Sequence, residues 1–146
     1  MVKLNTIIAA NAASIKQQPL VAVFVGATNG IGEYTVRELC KTHGSDGRGL
    51  EIFLLARNAT TAQSIIAQCA SECSRVNFHF VQIGDISLLQ SVDTACEQVL
   101  QILNESNNTD EVSGRPRIDL LVMSQGKVEF GARQGRSRLT TCRLSG

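Results

Sequence analysis

The sequence predicts an α/β fold, a doubly wound parallel sheet of about four strands in the order 3-2-1-4 with helices on both faces. Three observations carry this expectation. Leu20–Val25 and Leu50–Ala56 are unbroken apolar runs, as strands buried on both faces require. Stretches with apolar residues at helical spacing separate such runs, so strand and helix take turns along the chain. A glycine-rich turn, Gly26–Gly32, joins the first apolar run to the first helical stretch.

The elements follow in order. Residues 1–19 form a lead-in segment, with apolar Leu4, Ile7 and Ile8 interrupted by Asn5 and Asn11, expected to pack on the domain as a short amphipathic piece. The first strand is Leu20–Val25, and a helix runs from Gly30 to His43 with Ile31, Tyr34, Thr35, Leu39 and Cys40 at helical spacing. Gly44–Gly49 is a loop, Leu50–Ala56 the second strand, and Ala62, Ile65, Ile66, Cys69 and Cys73 mark one face of a second helix. Val76–Ile83 is a third strand. Leu88, Leu89, Val92, Cys96, Val99 and Leu103 make an amphipathic helix, Asn104–Pro116 a polar loop, and Ile118–Met123 a fourth strand. Residues 127–146 carry five basic residues against Glu129 and no apolar periodicity, and are expected to be a poorly ordered basic tail.

Composition narrows the function. The 146 residues suit a single domain, and 14 Lys+Arg against 13 Asp+Glu argue against a dedicated nucleic-acid binder. The apolar runs are too short to cross a membrane. Five cysteines form no CxxC pair, and neither His43 nor His79 has a ligand companion nearby, so no metal site is expected. An odd cysteine count fits a reducing, cytoplasmic setting, where the Asn-x-Ser/Thr sequons at Asn58, Asn104 and Asn107 carry no glycan.

The motif that carries chemistry is Val25-Gly-Ala-Thr-Asn-Gly-Ile-Gly32. Gly26 lets the chain turn off the strand, Gly30 lets backbone approach a pyrophosphate, and Gly32 lets the helix pack closely on the sheet. The helix N-terminus offers free N–H groups and the positive end of its dipole. The spacing is Gly-x3-Gly-x-Gly, neither the GxGxxG fingerprint nor a P-loop.

On these residues the chain resembles the short-chain dehydrogenases/reductases over positions 20–126, most of all reductases of fungal secondary metabolism. The resemblance implies a Rossmann-type half-domain and a dinucleotide cofactor, with NADP expected and NAD the alternative. It places Gly26, Thr28, Asn29, Gly30, Ile31 and Gly32 in the cofactor turn, with Val25 where the family has Thr. Arg57, beside Asn58, stands after the second strand, where NAD-preferring members carry an acid; an Arg fork there suits a 2′-phosphate, though a plain surface charge fits too. Asp85 stands where the family places an Asp beside the adenine, and it fits a helix cap equally well. Met123-Ser-Gln-Gly126 matches the family's Asn-Asn-Ala-Gly only at its last residue, which leaves Ser124 and Gly126 as cofactor candidates.

The family's hydride chemistry uses a Tyr-x3-Lys pair and a Ser on later elements. The sole tyrosine here is Tyr34, inside the first helix with Glu38 four positions on, so no catalytic residue is assigned and the chain alone is expected to be inactive. The tail after Gln134 resembles no family element, as in a truncated product. The backbone of Leu120, Leu121 and Val122 is expected at an open sheet edge, a place for another protein chain to pair.

Overall fold

The computed structural model describes residues 3–106 and 116–126; the basic tail, Cys142 and most of the Asn104–Pro116 loop lie outside the described residues. The elements are α1 (Leu4–Gln17), β1 (Leu20–Val25), α2 (Gly30–His43), β2 (Leu50–Ala56), α3 (Ala59–Glu72), β3 (Val76–Gln82), α4 (Leu89–Glu105) and β4 (Leu120–Met123). The four strands form one sheet in the order β3-β2-β1-β4, every pairing parallel, as the alternation of strand and helix predicts.

Alternate residues of β1 and β2 serve two separate cores. Ala22, Phe24, Ile52 and Leu54 pack under α2 and α3 with Val36, Leu39, Cys40, Ile65 and Cys69. Val21, Val23, Phe53 and Leu55 pack under α4 with Ala95, Val99 and Leu103. This double duty is why β1 and β2 read as continuous apolar runs.

Two helical faces differ from the sequence expectation. In α2 the inward residues are Gly32, Val36, Leu39, Cys40 and His43, while Ile31 and Tyr34 are 82% and 75% exposed. The true stripe begins with a glycine, which adds nothing to an apolar pattern. In α4 the stripe is Ala95, Val99 and Leu103; Leu88, Leu89, Val92 and Cys96 stand exposed. Small Ala95, not the larger neighbours, fits against the sheet.

The lead-in segment is a helix, α1, with no buried residue. It stops because Gln18 precedes Pro19 and takes an extended backbone. Ile15 touches the α2–α3 core, and Lys16 pairs with Asp46 at 2.9 Å.

Fully buried His43 closes the α2–β2 loop. Its Nε2 accepts from the Gly49 N–H at 3.3 Å, which leaves the proton on Nδ1, 3.1 Å from the Gly44 carbonyl and 3.4 Å from Cys73 Sγ. The Cys73 thiol donates to the same carbonyl at 3.1 Å. At the amino end of the sheet, His79 on β3 meets Glu51 on β2 at 2.6 Å and stacks on Phe53 with ring centroids 4.7 Å apart.

Candidate functional site at the carboxyl rim of the sheet

Parallel strands send every following turn to the same rim, so all eleven sequence-predicted site residues gather along the carboxyl ends of the strands. Gly26 to Gly32 follow β1, Arg57 and Asn58 follow β2, Asp85 follows β3, and Ser124 and Gly126 follow β4.

The glycine turn behaves as its spacing requires. Gly26 has φ +77° and Gly30 φ +60°, both in the left-handed region that other residues adopt only at a cost. The Gly26 N–H donates to the Leu55 carbonyl at 3.0 Å, which ties the turn to β2. A Cβ on Gly26 would lie 2.9 Å from Gln125 Cβ, so β4's continuation presses on the turn. At Gly30 nothing lies within 4 Å of the same position, so this glycine fronts open space. Gly32 is closed in by Ala27 and Ser124 and is buried.

Asn29 caps α2, its Oδ1 accepting from the Gly30 N–H at 2.7 Å. Thr28 is half-buried behind it, and Ile31 faces solvent beside the turn. The first-turn N–H groups of α2 have no carbonyl one turn earlier and point along the dipole toward the rim. Glu33 sits in that turn, but its charge is met by Arg37, whose Nη2 lies 2.7 Å away.

Ser124 has a structural task. Its N–H donates to the Val25 carbonyl at 3.0 Å and its Oγ approaches the same oxygen at 3.3 Å, locking the end of β4 onto β1. Asn58 caps α3, Oδ1 accepting from the Thr61 N–H at 3.2 Å. Asp85 accepts from the Ser87 N–H at 3.0 Å in a turn ahead of α4; the cap position itself is Leu88. Hydrogen bonds from Ser87 hold the Asp85 carboxyl below its ordinary pKa, and the nearby Arg57 charge adds to this. Arg57 and Asp85, 28 positions apart in sequence, are thus neighbours across the ends of β2 and β3. Gln125, whose backbone and Cβ crowd Gly26, is a rim residue the sequence gave no sign of; its role depends on β4 lying beside β1.

Among the described residues no group of three or more His, Cys, Asp or Glu side chains is arranged to hold a metal ion, and no helix is long and apolar enough to cross a membrane.

No family model matches the chain. Among known proteins, a short-chain dehydrogenase/reductase of Stachybotrys chartarum is 30% identical over 124 residues, 85% of this chain and 34% of that protein. An oxidoreductase of Emericella nidulans is 29% identical over 133 residues, 91% of this chain and 35% of its own length, a span too great to omit the glycine turn. The chain is a relative of the short-chain dehydrogenases/reductases. An oxidoreductase of Emericella variicolor is 40% identical over 80 residues, 55% of this chain and 22% of that protein. The chain therefore spans about a third of the length of the first two of these short-chain dehydrogenase/reductase relatives. Among solved structures, an alcohol dehydrogenase from the archaeon Thermococcus sibiricus, complexed with 5-hydroxy-NADP, matches with a TM-score of 0.45 and 29% identity, covering 58% of this chain and 33% of that one.

Proposed function

We propose that residues 20–126 form the NADP-binding half of a short-chain oxidoreductase, of the kind that exchanges hydride between a nicotinamide and a carbonyl or alcohol carbon. The observation that supports this most is the turn itself: two left-handed glycines at the N-terminus of α2, one of them with open space where a side chain would stand. A pyrophosphate approaches such bare backbone and is met by the first-turn N–H groups. Arg57 forks to the 2′-phosphate, Asp85 lies on the adenine side, and Ser124 and Gly126 close the crevice from β4. When bound, the nicotinamide supplies the hydride; the rim residues bind and orient it.

Proton transfer needs another group. Tyr34, the only tyrosine in the sequence, is 75% exposed on α2 and has Glu38 rather than Lys four positions on. On this reading the chain alone binds cofactor and turns nothing over. Thermal-shift titration tests it: NADPH at a hundredfold its Kd adds about 2.7 kcal/mol of stability, NADH adds less, and no shift with NADPH on folded protein sinks the proposal. Ketone reduction by the purified chain sinks the inactivity.

The exposure of β4 favours a second reading. Leu121 and Met123 are 57% and 66% exposed, and their register with Val23 and Val25 puts them on the face that α4 only partly covers. An added strand or helix from another chain would bury them. Size-exclusion chromatography giving a monomer at every concentration argues against self-association through this edge.

A further inference from the structure

The seam between α2 and α3 holds three thiols away from the nucleotide rim. Cys40, Cys69 and Cys73 are each no more than 1% exposed. Cys73 is taken up by His43 and the Gly44 carbonyl. Cys40 and Cys69 are hydrogen-bonded to each other. Helix geometry explains the meeting. Both helices start at the carboxyl rim and run side by side over the same core. Cys40 lies ten residues beyond Gly30 and Cys69 ten beyond Ala59, so both sit about 15 Å down their axes.

We propose that Cys40 and Cys69 form a reversible disulfide that staples α2 to α3. Sulfurs already in hydrogen-bonding contact need to close by only ~1–2 Å to reach the S–S bond length of about 2.05 Å. Cys69 is the attacking sulfur: the Cys40 S–H donates to it and lowers its pKa against the opposing effect of burial, with the Arg37 charge helping. The same contact, together with burial, pushes Cys40 up and keeps its proton. Hydrogen peroxide is the oxidant. The Cys69 thiolate attacks one peroxide oxygen, the O–O bond breaks, and hydroxide leaves and is protonated to water. Cys40 sulfur then attacks the resulting sulfenic acid, the S–O bond breaks, and the departing hydroxide takes the Cys40 proton as a second water. Two thiols are oxidised and one peroxide is reduced; a dithiol reverses the bond by exchange.

Burial sets the pace, because the seam must open locally before peroxide enters. Exposed Cys96, on α4 across the sheet, therefore reacts first and is removed from the test by Cys96→Ser. The staple joins the two helices whose first turns carry Asn29 and Gly30 on one side and Arg57 and Asn58 on the other, so it fixes the spacing of the rim.

The test oxidises the full chain carrying Cys96→Ser with hydrogen peroxide, blocks remaining thiols, digests, and maps linked peptides by mass spectrometry. The expected product is lighter by two hydrogens, links the Cys40 and Cys69 peptides, and disappears after dithiothreitol. In urea the same treatment scatters the pairing. Recovery of Cys40 and Cys69 as blocked thiols after oxidation of the folded chain, or linkage of either to Cys73 or Cys142 instead, overturns the proposal. The natural cysteines are read directly, so no substitution inside the core has to fold.

Discussion

Replacing Gly32 by alanine tests how closely α2 sits on the turn that starts it. A Cβ there would lie 2.1 Å from Ser124 Oγ and 2.8 and 2.9 Å from Cα and Cβ of Ala27. The hydroxyl can rotate away, giving up its 3.3 Å approach to the Val25 carbonyl. Ala27 cannot yield, because the contact includes its backbone and the residue is fully buried. Carbon–carbon contact is comfortable at about 3.5–4.0 Å, so the first turn of α2 must lift by roughly 1 Å. Overpacking of this kind costs about 1–3 kcal/mol, against a gain of up to about 1 kcal/mol from alanine's better helix propensity. The net expectation is a loss of about 1–2 kcal/mol. In urea, with a slope of about 1–3 kcal/mol per molar, the unfolding midpoint should drop by roughly 0.5–1 M. The lifted turn also carries the N–H groups of the rim, so NADPH affinity should fall with it. A variant as stable as the parent would refute the close packing of Gly32 on Ala27.

Gly30→Ala separates recognition from folding: the left-handed backbone costs about 1–2 kcal/mol, no steric clash adds to it, and NADPH affinity measured by calorimetric titration should fall more than tenfold as the methyl enters the approach path. Gly47→Ala puts a Cβ 2.3 Å from the buried His43 ring, whose bonds to the Gly44–Gly49 loop leave it nowhere to turn; a loss of about 1–3 kcal/mol by scanning calorimetry is expected. Asp85 should titrate below the ordinary aspartate value of about 3.9 in carboxyl-detected NMR. Its folded pKa is the depressed one, so its contribution to stability is complete above the unfolded value and is lost as pH falls through the folded value. Arg57→Gln should raise the Asp85 value part of the way back, and an unchanged titration would mean the two groups do not sense each other.

Much of the fold was legible because the sheet is parallel. Both-face burial writes itself into Leu20–Val25 and Leu50–Ala56, and the glycine spacing located the start of α2 at Gly30. The helical faces were less legible. Ile31 and Leu89 are large and apolar yet exposed, while Gly32 and Ala95 are small and do the contacting, so periodicity weighted the wrong residues. The buried polar pairs were invisible for a different reason. His43 meets Cys73 and Glu51 meets His79 across 30 and 28 positions of sequence, and only strand register and helix placement bring them together. At the rim, Asn58 and Ser124 turned out to be held by backbone groups of their own fold, a use that residue type alone does not distinguish from ligand contact.

The parallel arrangement has one more consequence. The turns after β1, β2 and β3 lie side by side at one end of the molecule, while the residues that decide folding lie in the strands between the two helix layers. Arg57 and Asp85 are exposed and touch neither core. Substitutions there can alter what the molecule recognises with little penalty in its folding, which gives the two properties separate paths of inheritance.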